Sequence, residues 1–240
     1  MFQRFEWLWQ AWECIARPKG RELLIVVGRI DGRVVLIWPL VRHGKGLVKF
    51  LASDRGEYRD VLVEAGAHSE KWIGEAWDAL QAGEQINVLH LQDLQAHSLL
   101  KKVIEARAPR MRTNLRPAPY IDLKAWPDYE AYFSGLSRNL RQDQTRQLRR
   151  LSELGEVRYV VAGDRQAVAD TVEWIYRSKL EWQDARGLTN ASFRSAEYAH
   201  FLRVATLAAF DLGMLHVATL MVGDQIAAAG LGFHDDREFS

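Results

Sequence analysis

Residues 137–161, SRNLRQDQTRQLRRLSELGEVRYVV, carry the strongest pattern in the chain and decide how the rest is divided. On a helical wheel Leu136, Leu140, Leu148, Leu151 and Leu154 gather within about a third of a turn, and Arg138, Arg141, Arg146, Arg149 and Arg150 spread over the opposite side. The spacing predicts one amphipathic helix with an arginine face. Ser137 is placed to cap its start by accepting from a free backbone N–H, and Gly155 to close its last turn in the left-handed conformation. The run 157–161 then predicts a short strand. The arginine face has three readings: the solvated side of an ordinary helix, an anion site in which Arg138, Arg141 and Arg149 hold phosphate or sulfate, or a sequence-independent nucleic-acid surface. The third usually comes with a basic excess over the whole domain.

No such excess exists here. Lysine plus arginine number 32 against 31 acidic residues, so no global field steers the chain onto DNA or an acidic membrane, and any basic site is local. At 240 residues the chain has room for one large or two small domains. Cys14 is the only cysteine, which excludes an internal disulfide and a thiolate metal site; it reads as a buried, inert thiol in a reducing compartment. The seven histidines show no HxxxH or HxH spacing, so no metal is expected. GxSxG, Walker and post-strand GxGxxG patterns are all missing from the sequence. Arg4, Glu6 and Glu13 interrupt the apolar N-terminus as no signal peptide allows. The apolar stretch 214–233 has bilayer length, but Gly223-Asp224-Gln225 puts a charge and a turn at its centre, which predicts a hairpin instead. A cytoplasmic protein without membrane insertion is expected.

Along the chain, 5–16 reads as a helix with Phe5, Trp9 and Trp12 as its core stripe and Trp7 elsewhere on its surface. Residues 22–41 form a hairpin around Asp31-Gly32, and 47–51 a strand. Residues 58–63 run from a polar start into an apolar strand. Helices are expected over 68–81, 94–106, 165–184 and 192–212, and a buried strand over 86–91. Pro109, Pro117 and Pro119 keep 107–122 extended, which places a boundary near 117–127 and predicts domains 1–120 and 121–240. The hairpins around Gly32 and Gly223, each fed by a helix, suggest an internal duplication with the two glycines in the same place.

The residues Phe5-x-Trp7-Leu8-x-x-Ala11-Trp12, Asp31-Gly32-Arg33, Trp38-Pro39-Leu40 and Tyr58-x-Asp60 resemble the GNAT superfamily of acyl-CoA N-acyltransferases. So do Leu136-Ser137-Arg138-Asn139-Leu140-Arg141, Arg149-Arg150-Leu151-x-x-Leu154-Gly155 and Gly223-x-x-Ile226-Ala227-Ala228. More narrowly they resemble the double-domain bacterial acetyltransferase-like family labelled cellulose-biosynthesis protein CelD. The resemblance implies an α/β fold with a mixed sheet, built as two GNAT-like units of which the second is incomplete at the C-terminus. It implies acyl transfer from acetyl-CoA or another acyl-CoA to a small-molecule or cell-envelope amine or hydroxyl, and the family label implies a link to exopolysaccharide or cellulose production. The alternatives within the same architecture are an aminoacyl-tRNA-dependent peptidyltransferase, with tRNA as partner, and a non-catalytic scaffold.

Such an enzyme holds the cofactor pyrophosphate on a glycine-rich loop at a helix N-terminus. Gly230-Leu231-Gly232 is followed by Phe233-His234-Asp235-Asp236 and no helical pattern, so it reads as strand, and the loop is expected beyond Ser240, in roughly a further domain's worth of about 100 residues. The substrate-side candidates are Tyr58 and Asp60, expected at a strand edge, and Trp182 and Arg186, near the end of a helix that in similar folds borders the acceptor groove. No general base is legible.

Overall fold

The computed structural model describes residues 2–83, 85–108 and 111–234. β1 (Glu22–Ile30) and β2 (Arg33–His43) form the expected hairpin. Its turn residues Asp31 and Gly32 have φ of +49° and +79°, the two positive angles that match a tight turn to the strands' twist. β3 (Leu47–Phe50) lies antiparallel to β2, β4 (Leu62–Val63) also pairs with β2, and β5 (Val88–His90) runs parallel to β3, giving a mixed sheet of order β1-β2-β3-β5. A parallel neighbour needs a crossover, and α2 (Ser69–Gly83) supplies it. Leu36, Trp38 and Leu40 of β2 point to one face, where they bury against Ile73 and Leu80 of α2 and against Leu100 and Ile104 of α3 (Leu99–Arg107).

The second half follows through α4 (Tyr129–Gly135), α5 (Arg138–Ser152), β6 (Val157–Val161), α6 (Arg165–Asp184), α7 (Ala196–Asp211), β7 (Leu215–Val222) and β8 (Gln225–Phe233). Its sheet, β6-β7-β8, is antiparallel throughout. Asp164 and Ser195 cap α6 and α7 by accepting from Ala167 N at 2.9 Å and Tyr198 N at 3.2 Å. Val168 and Val172 of α6, Phe201 and Ala205 of α7, and Val217 of β7 make the second core. The chain is a mixed α/β protein.

The N-terminal helix reverses its expected orientation. In α1 (Phe5–Ala11) Trp7 is 3% exposed, while Phe5 and Trp9, read as core, are 70% and 45% exposed and stack on each other. Helical period alone cannot say which of two aromatic faces will be covered. Here Trp7 meets Phe2, Phe201 and Phe233 edge-on, with ring centroids 5.0, 5.2 and 5.0 Å away. α1 thus packs into the second core, and the π-helical turn that follows, Trp12–Ala16, carries Ala16 onto Val41 and Leu51 of the first half.

Other expectations shift. Only Leu62–Val63 of 58–63 is strand, so Tyr58 and Asp60 lie in the loop before it and not at a strand edge. The strand expected over 86–91 is three residues long with Val88 largely exposed, and the helix expected from residue 94 starts at Leu99 behind its Ser98 cap. Gly155 has φ +158°, outside the left-handed helical well; a Cβ there would come within 3.0 Å of Gly223 N. Gly32 takes the second turn position of its hairpin and Gly223 the first, so the two glycines are not equivalent. The leucine stripe of α5 is not packed away: no residue of α5 is buried. Residues 235–240 lie outside the described residues.

Replacing Trp7 by alanine should cost about 3–5 kcal/mol in urea unfolding, the usual cost of emptying a buried aromatic site, while Trp9→Ala should cost about 1 kcal/mol or less. The opposite ranking would mean that α1 presents its other face to the core.

Candidate functional site

Loop 52–60 is densely hydrogen-bonded. Arg59 is only 4% exposed, and its guanidinium donates to Ala52 O at 3.0 Å, to Asp93 Oδ2 at 2.8 Å and to Gly56 O. Burial is tolerated because the charge is paired and its N–H groups are used. Ala52, Tyr58 and Asp93, all beside this guanidinium or next to it in sequence, have φ of +62°, +49° and +59°. Each non-glycine residue in that region costs of order 1–3 kcal/mol, and such strain persists only where the surroundings enforce it. The loop also joins the two halves. Trp7 Nε1 donates to Arg55 O at 2.6 Å, Arg55 donates to Ser192 Oγ at 2.6 Å, and its guanidinium lies 4.7 Å from the centre of the Tyr198 ring.

Asp60 ends this loop. Gln3 Nε2 donates to its carbonyl at 2.6 Å, and Val61 N donates to its carboxylate at 2.8 Å. Burial pushes its carboxyl above the usual range, opposed by hydrogen bonds from Ser98 and Val61 and by the nearby His97. Trp182 and Arg186 lie elsewhere, around the C-terminus of α6, where Arg186 and Lys179 flank the Trp182 ring at 4.5 and 3.9 Å from its centre. Among the described residues no hydrogen bond, ion pair or ring contact joins Tyr58 or Asp60 to Trp182 or Arg186.

The anion candidates do come together. Arg138, Arg141 and Arg149, with Arg146, line one open groove of about 660 Å³ along α5, with Phe133 of α4 as its apolar wall. Arg146 is engaged by Asp143 and Arg149 lies 3.8 Å from Glu153, whereas Arg138 and Arg141 have no carboxylate partner among the described residues.

Sequence reasoning missed a further pair. Tyr159 Oη and His216 Nε2 are 2.8 Å apart and their rings stack, on the face of the second sheet turned away from α6 and α7. No spacing rule finds it, because 57 residues separate its members; the pairing of β6 with β7 sets Tyr159 opposite Leu220, and His216, four residues away on the same face of β7, is reached by the two side chains leaning along the strands. Among the described residues no cluster of histidine, cysteine, aspartate and glutamate could hold a metal, and no helix is long and apolar enough to cross a membrane.

A mixed α/β protein with an antiparallel hairpin in each half is the class that this architecture defines. Residues 138–240, from α5 onward, match a family model described as an acetyltransferase (GNAT) domain, so the second half is similar to a GNAT-type acetyltransferase domain. No curated protein matches the chain.

Because the folded carboxyl of Asp60 is raised, ionising it opposes folding: its contribution falls as pH climbs from the ordinary carboxylate range through the raised value, and is flat above. Asp60→Asn, which keeps an acceptor for Val61 N, should therefore gain on the parent protein over that window in urea unfolding between pH 4 and 8. A variant that loses ground as pH rises would show that the ionised carboxylate is favoured by the fold.

Proposed function

We propose that the chain serves acyl transfer from a CoA thioester to an amine or hydroxyl of a small-molecule or cell-envelope acceptor. The observation that carries this reading is the GNAT-domain match over 138–240, which falls on one continuous succession of elements, α5, β6, α6, α7, β7 and β8.

The cofactor's contribution is an activated acyl thioester. The fit of the described residues to such a ligand is partial. Ala227, Ala228, Ala229 and Gly230 leave the backbone of β8 thinly covered, and a Cβ at Gly230 would meet nothing within 4 Å, which suits amide groups approaching the main chain. The pyrophosphate would need a helix N-terminus, and the residues that follow His234 lie outside the described ones.

Two proton movements fall to the protein: an ammonium acceptor must lose a proton before attack, and the departing thiolate must gain one. Tyr159 and His216 are the pair we assign to this role, since they are hydrogen-bonded, half-exposed to exposed, and borne on adjacent strands of the matched region. The direction of their shared hydrogen bond follows the imidazole tautomer. Asp60 and Tyr58 are proposed to meet the acceptor from the first half, and Trp182 and Arg186 from the end of α6.

Acetyl-CoA at a hundredfold excess over its dissociation constant should stabilise a binding protein by about 2.7 kcal/mol, a rise in melting temperature of roughly 5–10 °C for a chain of this size. The measurement is made on the 240-residue chain and on the product of its whole reading frame. His216→Gln and Tyr159→Phe should lower kcat by about 100-fold, the ordinary value of a positioned acid or base, with the acetyl-CoA shift retained. Neither a shift nor acyl transfer in either preparation would sink the proposal; a shift with full activity in both variants would remove only the role of the pair.

A further inference from the structure

We infer that the arginine groove of α5 is a sequence-independent docking site for the phosphate backbone of a single-stranded polynucleotide, separate from acyl transfer. Four observations lead there. Residues 138–152 hold five arginines and one aspartate, net +4, in a chain of net +1, so positive charge is concentrated on this one helix. Arg138 occupies the first helical position, and no acidic residue stands in the first turn. A cation there faces the positive end of the helix dipole, a local cost that a bound anion reverses. Arg141 is half-buried, and its Nε, out of contact with solvent, has no hydrogen-bond partner. Finally, Phe133 forms the groove wall and stacks on the exposed Tyr129 with ring centroids 5.8 Å apart, an aromatic surface on which bases can lie.

The spacing chooses between ligands. At 1.5 Å of rise per residue, Arg138 and Arg149 are separated by about 16 Å along the helix. One diphosphate cannot meet both ends, whereas a strand that carries a charge every ~3.4 Å or more presents several phosphates over that distance. The leucines of α5 lie on the side opposite the arginines, so a lipid surface that took up the leucines would turn the groove away from its headgroups.

The test is fluorescence anisotropy with a labelled 12-nucleotide oligouridylate and the intact chain. With Arg138, Arg141 and Arg149 each displacing a counterion, log Kobs should fall against log salt with a slope of about −2, so affinity drops roughly 20-fold between 50 and 200 mM. Arg141→Gln with Arg149→Gln should reduce the slope to near −0.7 and weaken binding at 50 mM at least tenfold, and Arg141→Lys with Arg149→Lys should largely restore it. Arg150→Gln, outside the groove, should change little, and circular dichroism should show all variants folded. Equal competition by inorganic phosphate or a nucleoside triphosphate, binding to vesicles of anionic lipid in place of the oligonucleotide, or no binding at all would each overturn the inference. Acetyl-CoA shifts and acyl transfer should be the same in all these variants, which separates failure here from failure of the acyltransfer proposal.

Discussion

The burial of Trp7 is the constraint on which the arrangement depends. A helix that precedes the first sheet in sequence inserts Trp7 among Phe201 and Phe233 of the second core, and the indole N–H is satisfied by Arg55 O in the loop between β3 and β4. One residue thereby ties the N-terminus, the first half and the second half. A buried indole without an acceptor is costly, so the position of loop 52–60 and the position of α1 are not independent. The π-helical turn that follows α1 rephases the chain so that Ala16 faces Val41 and Leu51 on the other side.

Loop 52–60 answers that constraint from the first half. Ala52, Tyr58 and Asp93, all with positive φ, stand around one buried guanidinium, which donates to the carbonyls of Ala52 and Gly56 and to the Asp93 carboxylate. Strain and charge compensation are two descriptions of one local solution. Its consequence is positional: Asp60 is fixed beneath the N-terminus of α3, and Arg55 is held over Tyr198 at the start of α7.

α5 stands at the other extreme. It has the most regular pattern in the sequence, yet none of its residues is buried, and Leu154 remains 78% exposed. Its existence as a helix was legible from the Ser137 cap, which accepts from Leu140 N, and from the 3.6-residue period of its leucines. The concavity that its arginines share with Phe133 was not, since it depends on how α4 folds back beside it. The candidate residues divide in the same way. Arg138, Arg141 and Arg149 lie on one helix face and could be grouped by counting. Asp60 and Ser98, or Tyr159 and His216, are brought together by loop and strand register across tens of residues, and no count reaches them.

By itself the sequence determined what short-range physics controls. Asp31-Gly32 required a hairpin because few residues tolerate the paired positive angles. The limits of α6 came out as read, since Asp164 caps its start and an unbroken helical period carries it to Asp184. Gly213, with φ +66°, stops the helix before β7, close to the end at residue 212 that its period predicts. Only the tertiary structure decided which aromatic face of α1 is covered, that 58–61 is a strained loop and not a strand, and which polar groups meet. Those outcomes depend on contacts between residues far apart in the chain, whose free energy exists only once both partners are in place, and a local pattern carries no record of the partner.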